Sequence, residues 1–181
     1  MKTVFFDIDT QIDFLYPSGA LYVPGAERIL GAIAELNRHA PLVISTMCAH
    51  AEDDPEFRIY PHHCVVDTAG QRKPAATLLE KSEPARQIIL EKQELDCFSN
   101  PRLASILEDL NPERCVVYGV VTEICVRLAA LGLIKTGRRV EIVTDAVQAL
   151  DEELARQTLA AFQAAGGILT TRNAVLASLR S

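Results

Sequence analysis

The chain has 181 residues, of which 49% are hydrophobic and 23% charged, values typical of a soluble globular protein with one domain over residues 1–181. The formal net charge of −6, without any lysine or arginine run, argues against a nucleic-acid groove or an anionic membrane partner. The apolar run at the N-terminus ends at Asp7. It is too short for a signal peptide or a bilayer span, so we expect a cytoplasmic protein.

Six short apolar runs predict β-strands, at residues 3–8, 41–46, 86–90, 114–119, 140–144 and 167–170. Helical patterns fall between most of them, at residues 25–39, 101–110, 122–136, 151–165 and 171–179. This alternation predicts an α/β fold of three layers, α/β/α, around a six-stranded parallel sheet of the Rossmann-like kind. Residues 47–84 form a long loop rich in proline, and a loop of that length in a compact domain is usually functional.

Several reactive side chains follow the predicted strands. Asp9 follows the first strand, Cys48 and His50 the second, Lys92 the third, and Cys125 opens the helix after the fourth. Sites in open parallel sheets form beyond the carboxyl ends of the strands. We therefore expect these side chains to lie near one another.

Cys125 is a candidate nucleophile because backbone N–H groups in the first turn of a helix stabilise a thiolate and an oxyanion. Asp9 could accept the thiol proton, and Lys92 could orient the acid and stabilise the thiolate. The alternatives are structural: a buried packing cysteine, an aspartate that caps a turn, and a solvated lysine at a strand end. The other cysteines, Cys64 and two more at positions 97 and 115, are interpreted as structural, since an odd number of irregularly spaced cysteines does not suggest a disulfide framework.

The N-terminal strand followed by Asp7-Ile8-Asp9-Thr10 also resembles the first motif of the haloacid-dehalogenase-type phosphatases. In that family Asp7 would be the phosphorylated nucleophile and Asp9 the general acid. The later acidic motif that would hold Mg²⁺ is missing, because Asp145 stands alone. Phosphatase activity is therefore the less favoured alternative.

Four segments, in chain order, carry a more specific resemblance. They are Asp9-Thr10-Gln11-Ile12-Asp13-Phe14, Pro61-His62-His63-Cys64-Val65, Glu91-Lys92, and Gly119-Val120-Val121-Thr122-Glu123-Ile124-Cys125-Val126. Together they resemble the D-x-Q-x-D-F, P-P-H-C-V, lysine and G-x-x-T-[DE]-x-C-V segments of the isochorismatase-like cysteine hydrolases, a family that includes the nicotinamidases. Any one of these motifs is weak, but four in order are strong.

The resemblance implies the isochorismatase-like hydrolase fold, with Cys125 as nucleophile, Asp9 as base and Lys92 as supporting cation. It also implies a cis peptide bond between Val120 and Val121, with the N–H groups of Val121 and Cys125 forming the oxyanion hole. Phe14 and Tyr60 match positions where nicotinamidases place aromatic rings against the substrate, although both could be ordinary packing residues.

The resemblance further implies a metal site in the long loop. Its matching positions are Cys48, His50, Glu56 and His63, with Cys48 in place of the usual aspartate. This donor set suits one zinc or a similar divalent ion, and we expect no organic cofactor. His62 is a substitute ligand; the alternative is a set of polar loop residues beside a buried cysteine.

The expected activity is hydrolysis of a small carboxamide through a thioester, with nicotinamide, cleaved to nicotinate and ammonia, as the first choice. Alternatives within the family are an isochorismatase-type hydrolase and a hydrolase of ureido compounds or other small amides. An alternative of another class is a catalytically silent binding protein. By analogy with relatives we expect a homo-oligomer. The period of a strand places Asp7 and Asp9 on one strand face, where the two carboxylates could raise one another's pKa or share Lys92, so the role of Asp7 stays open.

Overall fold

A six-stranded sheet forms the centre of the computed structural model, which describes residues 1–80 and 85–180. Its strands are β1 (Thr3–Ile8), β2 (Val43–Cys48), β3 (Gln87–Lys92), β4 (Arg114–Val120), β5 (Arg139–Gln148) and β6 (Ile168–Thr170). Their order across the sheet is β3-β2-β1-β4-β5-β6, and every neighbouring pair is parallel. The predicted α/β fold with six parallel strands is confirmed.

Helices connect the strands, as parallel pairing requires. They are α1 (Ile12–Leu15), α2 (Leu30–His39), α3 (Pro101–Leu110), α4 (Arg127–Lys135), α5 (Glu152–Ala164) and α6 (Arg172–Ser178). Asn100 caps α3 as expected, since its side chain accepts a hydrogen bond from the N–H of Arg102 and Pro101 takes the first helical position. A 3₁₀ turn, Ala26–Ile29, precedes α2, and a π-helical turn, Thr122–Val126, precedes α4. Among the described residues, no helix is both long enough and apolar enough to cross a bilayer.

The sheet is covered on both faces. Buried residues of α2 and α6, such as Leu36 and Val175, pack with Phe5 on one face. On the other face Leu107 of α3 and Phe162 of α5 pack in one cluster with Val4 and Phe6, the neighbours of Phe5 in β1. This alternation along a strand buried on both sides explains why β1 is apolar almost throughout.

The strands differ from the predicted ranges mainly at their carboxyl ends. β2 and β3 continue to Cys48 and Lys92, the residues expected just beyond them. β5 continues to Gln148, beyond its predicted end. Its register against β4 shifts between Val117 and Gly119, and this irregular part of β5 contains the exposed Asp145. In the long loop, short 3₁₀ turns lie at Pro55–Arg58 and Ala75–Thr77, and the predicted loop residues 81–84 lie outside the described residues.

The chain order places a switch point between β1 and β4. From β1 the chain proceeds through β2 to β3 on one side, and β4 is followed by β5 and β6 on the other. Asp9 leaves β1 and Cys125 lies just after β4, so both side chains stand at the crevice where such sheets bind ligands.

Candidate active site

The carboxylate of Asp9 lies between the ends of β2 and β3. Its Oδ2 is 2.9 Å from Nζ of Lys92, and its Oδ1 accepts a hydrogen bond of 2.6 Å from the hydroxyl of Thr46. Both ionic side chains are almost fully buried. Burial alone would lower the pKa of Lys92, but the charge of Asp9 raises that pKa well above the ordinary lysine value, so the lysine is a permanent ammonium.

Cys125 lies in the π-helical turn after β4, and it lines the same cavity as Asp9. Burial raises the pKa of Cys125 well above the ordinary thiol value; Lys92 opposes this effect and Asp9 adds to it. The thiol is therefore neutral near pH 7. A neutral thiol needs a neighbouring base to generate the thiolate, and Asp9, which lines the same cavity and raises the thiol pKa, is the candidate.

The backbone before Cys125 makes a tight entry into the helix. The peptide bond between Val120 and Val121 is cis, as the resemblance implied. The carbonyl of Val121 accepts hydrogen bonds of 3.1 Å from the N–H groups of Ile124 and Val126. Val121 and Cys125 both line the same cavity, and the oxyanion hole formed by their N–H groups stays a prediction.

The side-chain amide of Gln11 joins the segment after β1 to the end of β2. It donates hydrogen bonds to the carbonyls of Cys48, at 2.8 Å, and Gln71, at 2.7 Å, and accepts one of 2.7 Å from the N–H of Cys48. Sequence reasoning used Gln11 only as part of a motif. Its amide explains why a glutamine suits this position, because one side chain supplies two N–H donors and an acceptor oxygen to three backbone groups.

Three residues of the long loop converge beside this centre. The ligand atoms of His50, Glu56 and His63 lie within 4.8 Å of one another. Nδ1 of His50 lies 2.9 Å from Oδ2 of Asp54, and Nδ1 of His63 lies 2.8 Å from the carbonyl oxygen of Pro61. Hydrogen bonds of this kind orient metal-binding histidines and leave Nε2 for the ion. Asp54, which sequence reasoning missed, thus supports His50; its only local signal is its place as the N-cap before Pro55.

The donor set fits a divalent ion. Nε2 of His50 is buried and has no hydrogen-bond partner among the residues that the structure describes. Burial lowers the pKa of His63, against the opposing hydrogen bond to Pro61, and so favours the neutral imidazole that a metal requires. Two imidazoles and a carboxylate are a common zinc set with open coordination positions.

Two expected ligands do not join this group. Cys48 lies outside it, because its Sγ accepts a hydrogen bond of 3.3 Å from Nζ of Lys92 instead. Burial, and then the charge of Asp9, raises the pKa of Cys48 to about 12, which disfavours a thiolate there. The ring of His62 is directed elsewhere, as it stacks on Phe57 with 4.2 Å between the ring centroids.

A cavity opens beside Cys125. Its polar lining residues stand at the candidate reactive centre and the loop group: Asp9, Cys48, Glu56, His63 and Cys125. Its other walls are apolar or aromatic: Phe14, Leu21, Val23, Tyr60, Leu95, Val120, Val121, Ile124 and Leu150. Phe14 and Tyr60 both line this cavity, with ring centroids 5.5 and 6.4 Å from that of His63, and their contact with a substrate stays a prediction.

Asp7 does not share Lys92 with Asp9. Its Oδ2 lies 2.9 Å from Nζ of Lys73, and both side chains are buried. The expectation that Asp7 and Asp9 point to one strand face is wrong, because β1 ends at Ile8 and Asp9 adopts a left-handed conformation with φ of 49°. A fully buried Asp7 is also inaccessible to a phosphate ester, which removes the phosphatase alternative.

The chain matches the Isochorismatase domain family over residues 3–174. The chain belongs to this family. It is 24% identical to a nicotinamidase of Acinetobacter baylyi over 80% of each chain. Among solved structures, it resembles the pyrazinamidase of Pyrococcus horikoshii in complex with zinc (28% identity, 94% of this chain and 99% of that chain, TM-score 0.84). It also resembles PnC1 of L. infantum in complex with nicotinate (27% identity, 96% of this chain and 94% of that chain, TM-score 0.85).

Membership makes the chain an isochorismatase-family hydrolase, and two of the named relatives are a nicotinamidase and a pyrazinamidase. The expected family is therefore confirmed.

Proposed function

We propose that this isochorismatase-family hydrolase is an amidase for small, neutral, aromatic carboxamides, with nicotinamide as the first candidate substrate. The observation that carries the proposal is that the buried Asp9–Lys92 pair and Cys125 stand together at one end of a largely apolar cavity, which both Asp9 and Cys125 line. Nucleophile, base and cation thus meet at one place, as a nucleophilic hydrolase requires.

The reaction begins when Asp9 takes the proton of Cys125 and the sulfur attacks the amide carbon. The N–H groups of Val121 and Cys125 stabilise the oxyanion of the tetrahedral intermediate. Collapse of this intermediate breaks the C–N bond, and the proton held by Asp9 leaves with ammonia. Asp9 then removes a proton from water, whose attack on the thioester releases the acid and returns the proton to the sulfur.

Lys92 balances the charge of the Asp9 carboxylate and stays an ammonium. Its ammonium lies 2.9 Å from Oδ2 of Asp9 and donates hydrogen bonds to the carbonyl of Glu94, at 3.0 Å, and to Sγ of Cys48, at 3.3 Å. The ion pair places a fixed cation beside the carboxylate that would accept the thiol proton. The same cation lowers the pKa of the Cys125 thiol and so opposes the cost of burying a thiolate.

The cavity lining supports a neutral, flat substrate. Phe14 and Tyr60 offer aromatic faces, and the described lining residues include Asp9 and Glu56 but neither arginine nor lysine. A dianionic substrate such as isochorismate would therefore meet acidic groups and no arginine or lysine side chain among the described lining residues. This charge balance favours a carboxamide over the isochorismatase-type alternative.

His50, Glu56 and His63 would hold a divalent ion such as zinc at the edge of the cavity. A bound ion would supply a Lewis-acid contact for a nitrogen of the substrate ring. The chain's own contribution is orientation, because the Nδ1 contacts with Asp54 and Pro61 hold the two imidazoles in place.

Ammonia release from a panel of compounds tests the proposal. The panel contains nicotinamide, pyrazinamide, a ureido compound and isochorismate. Isochorismate releases no ammonia, so its turnover is measured by the appearance of its own product. We expect turnover of the aromatic amides, loss of turnover in Cys125→Ala, and a trapped thioester after acid quench of the wild type. Cys115→Ala is the matched control, because Cys115 is a buried cysteine at the start of β4, far along the strand from Cys125. A folded Cys125→Ala variant with substantial activity would refute the nucleophile, and a wild type inactive on every compound would favour a silent binding protein.

A further inference from the structure

A second buried ion pair lies beneath the candidate active site. Asp7 and Lys73 have side chains exposed by 0% and 1%, and Oδ2 of Asp7 is 2.9 Å from Nζ of Lys73. The proposed reaction uses neither residue. Burying two charges is costly unless the pair is well satisfied, and an apolar pair of similar volume is often as stable. The presence of charges here therefore calls for a reason other than packing.

Thr10 connects this ion pair to the residue proposed as the base. Its hydroxyl donates a hydrogen bond of 2.6 Å to Oδ1 of Asp7 and accepts one from the ammonium of Lys73. Thr10 is fully buried, so these bonds determine how its side chain is oriented. Thr10 directly follows Asp9 in the chain. The bonds of its hydroxyl therefore restrain the backbone at Asp9.

The turn around Asp9 needs such a restraint. Asp9 has a φ of 49°, a conformation that is uncommon for residues other than glycine and persists only when the surroundings determine it. The N–H of Gln11 donates to the carbonyl of Asp9 at 2.9 Å, and the bond from Thr10 back to Asp7 spans the same turn. These two hydrogen bonds together hold the turn at Asp9, whose carboxylate is directed toward Cys125 and Lys92.

The ion pair is itself anchored in the sheet and in α2. Oδ2 of Asp7 accepts hydrogen bonds from the side chains of Asn37, at 2.9 Å, and Ser45, at 3.2 Å. The hydroxyl of Tyr118 in turn donates to Oδ1 of Asn37 at 2.6 Å. Contacts from α2, β2 and β4 therefore immobilise the carboxylate to which Thr10 is attached.

We propose that Asp7 and Lys73, acting through the Thr10 hydroxyl, form a positioning unit that holds Asp9 in reach of Cys125 and Lys92. The inference rests on the proposed role of Asp9 as the base. It assigns to Asp7 a function distinct from that of Asp9, and it makes Lys73 the second lysine on which the site depends.

Thr10→Val is the most direct test. Valine keeps the shape of threonine and leaves Asp7 paired with Lys73, but it removes the hydroxyl that links them to the turn. We expect a folded variant whose kcat for nicotinamide falls about 10- to 100-fold with little change in KM, since a small displacement of a reacting group has an effect of that order. Thr10→Ser, which keeps the hydroxyl, should retain most of the activity.

A second measurement needs no substrate. The groups facing the Cys125 thiol are Lys92, Asp9 and Cys48, and Asp9 raises the thiol pKa. A displaced Asp9 would therefore let Cys125 ionise more readily. We expect the pH profile of Cys125 alkylation by iodoacetamide to move to lower pH in Thr10→Val, toward the profile of Asp9→Asn, and to stay at the wild-type position in Thr10→Ser.

The double variant Asp7→Asn/Lys73→Met should show the same two changes if Thr10→Val proves unstable, since it removes both charges but keeps an amide for hydrogen bonding. Arg114→Met is the control for lost stability alone, because Arg114 makes a buried ion pair with Glu141 at 2.7 Å, at the start of β4. Folded Thr10→Val or Asp7→Asn/Lys73→Met with wild-type kcat and an unchanged alkylation profile would overturn the inference. A shifted profile in a protein without amidase activity would instead reject the proposed function and leave the positioning of Asp9 supported.

Discussion

Nζ of Lys92 donates a hydrogen bond to Sγ of Cys48 at 3.3 Å, which directs the cysteine toward the catalytic lysine candidate and away from the histidines of the loop. A cysteine at this position had been expected to bind the metal with His50. The geometry separates the two tasks: Cys48 is a neighbour of Lys92, and the donor group for an ion consists of His50, Glu56 and His63.

Removal of the Cys48 thiol should therefore leave metal binding intact. We expect Cys48→Ala to bind one zinc per chain with a Kd within about threefold of the wild type, and His63→Ala to lose affinity by about 100-fold or more, because ligand loss should exceed the 10- to 100-fold effect of losing an outer partner. Isothermal titration with zinc and elemental analysis of the dialysed protein measure both values. His62→Ala, a neighbouring exposed histidine, should bind like the wild type; a comparable loss in Cys48→Ala would show that the thiol is a ligand.

Removal of the Asp9 charge should have opposite effects on turnover and on the reactivity of Cys125. Asp9→Asn lacks the base, so we expect kcat to fall by about 10²–10⁴-fold. The charge of Asp9 raises the pKa of Cys125, so its removal lowers that pKa and increases the thiolate fraction at a given pH. Alkylation by iodoacetamide between pH 7 and 9 should therefore be faster in the variant. Slower alkylation at every pH would contradict this electrostatic account.

The sequence was sufficient to locate the candidate reactive centre because two local signals combine there. Each apolar run identifies a strand, and the parallel arrangement brings the residues at the strand ends to one edge of the sheet. Asp9, Lys92 and Cys125 follow from these signals, and the isochorismatase-like motifs single them out. The predicted fold and the family are confirmed, and the cis bond between Val120 and Val121 is present as the motif implied.

The side-chain partners could not be predicted in the same way. Strand periodicity places Asp7 and Asp9 on one face, but the left-handed turn at Asp9 interrupts the alternation. Lys73 reaches Asp7 from the middle of the long loop, where no periodic pattern shows which residues turn inward. The direction of the Cys48 side chain likewise depends on Lys92, a residue of another strand, and a sequence shows such pairings only after the fold is known.

The carboxylate of Asp13 leaves no room for a side chain at position 70, where the chain has Gly70. A Cβ at position 70 would lie 2.1 Å from Oδ2 of Asp13, whereas a Cβ at Gly31, in α2, would meet no atom within 4 Å. The same carboxylate accepts a hydrogen bond of 2.7 Å from the N–H of Cys64, next to the metal-site residue His63. Gly70→Ala should therefore lower the free energy of unfolding by about 2–3 kcal/mol, as overpacking does, and should also weaken zinc binding.

Gly31→Ala is the matched control for this substitution, and we expect it to raise the free energy of unfolding by about 0.5–1 kcal/mol because alanine is the better helix former. Chemical denaturation measures both changes. Equal stability of the two variants would show that the segment at Gly70 moves away from Asp13 without cost.

The ring of Tyr60 should contribute to substrate binding and its hydroxyl should not. Tyr60 lines the cavity, and its ring meets that of His63 edge-on with an interplanar angle of 80°. Tyr60→Ala should raise KM for nicotinamide about 3- to 10-fold with kcat nearly unchanged, because an aromatic contact contributes about 0.5–1.5 kcal/mol equally to the ground state and the transition state. Tyr60→Phe should behave like the wild type, as should Ile59→Ala, since Ile59 is 80% exposed beside it. Steady-state kinetics distinguish the roles: a fall in kcat for Tyr60→Phe would mean that the hydroxyl acts on the reacting group, and an unchanged KM for Tyr60→Ala would place the substrate ring elsewhere in the cavity.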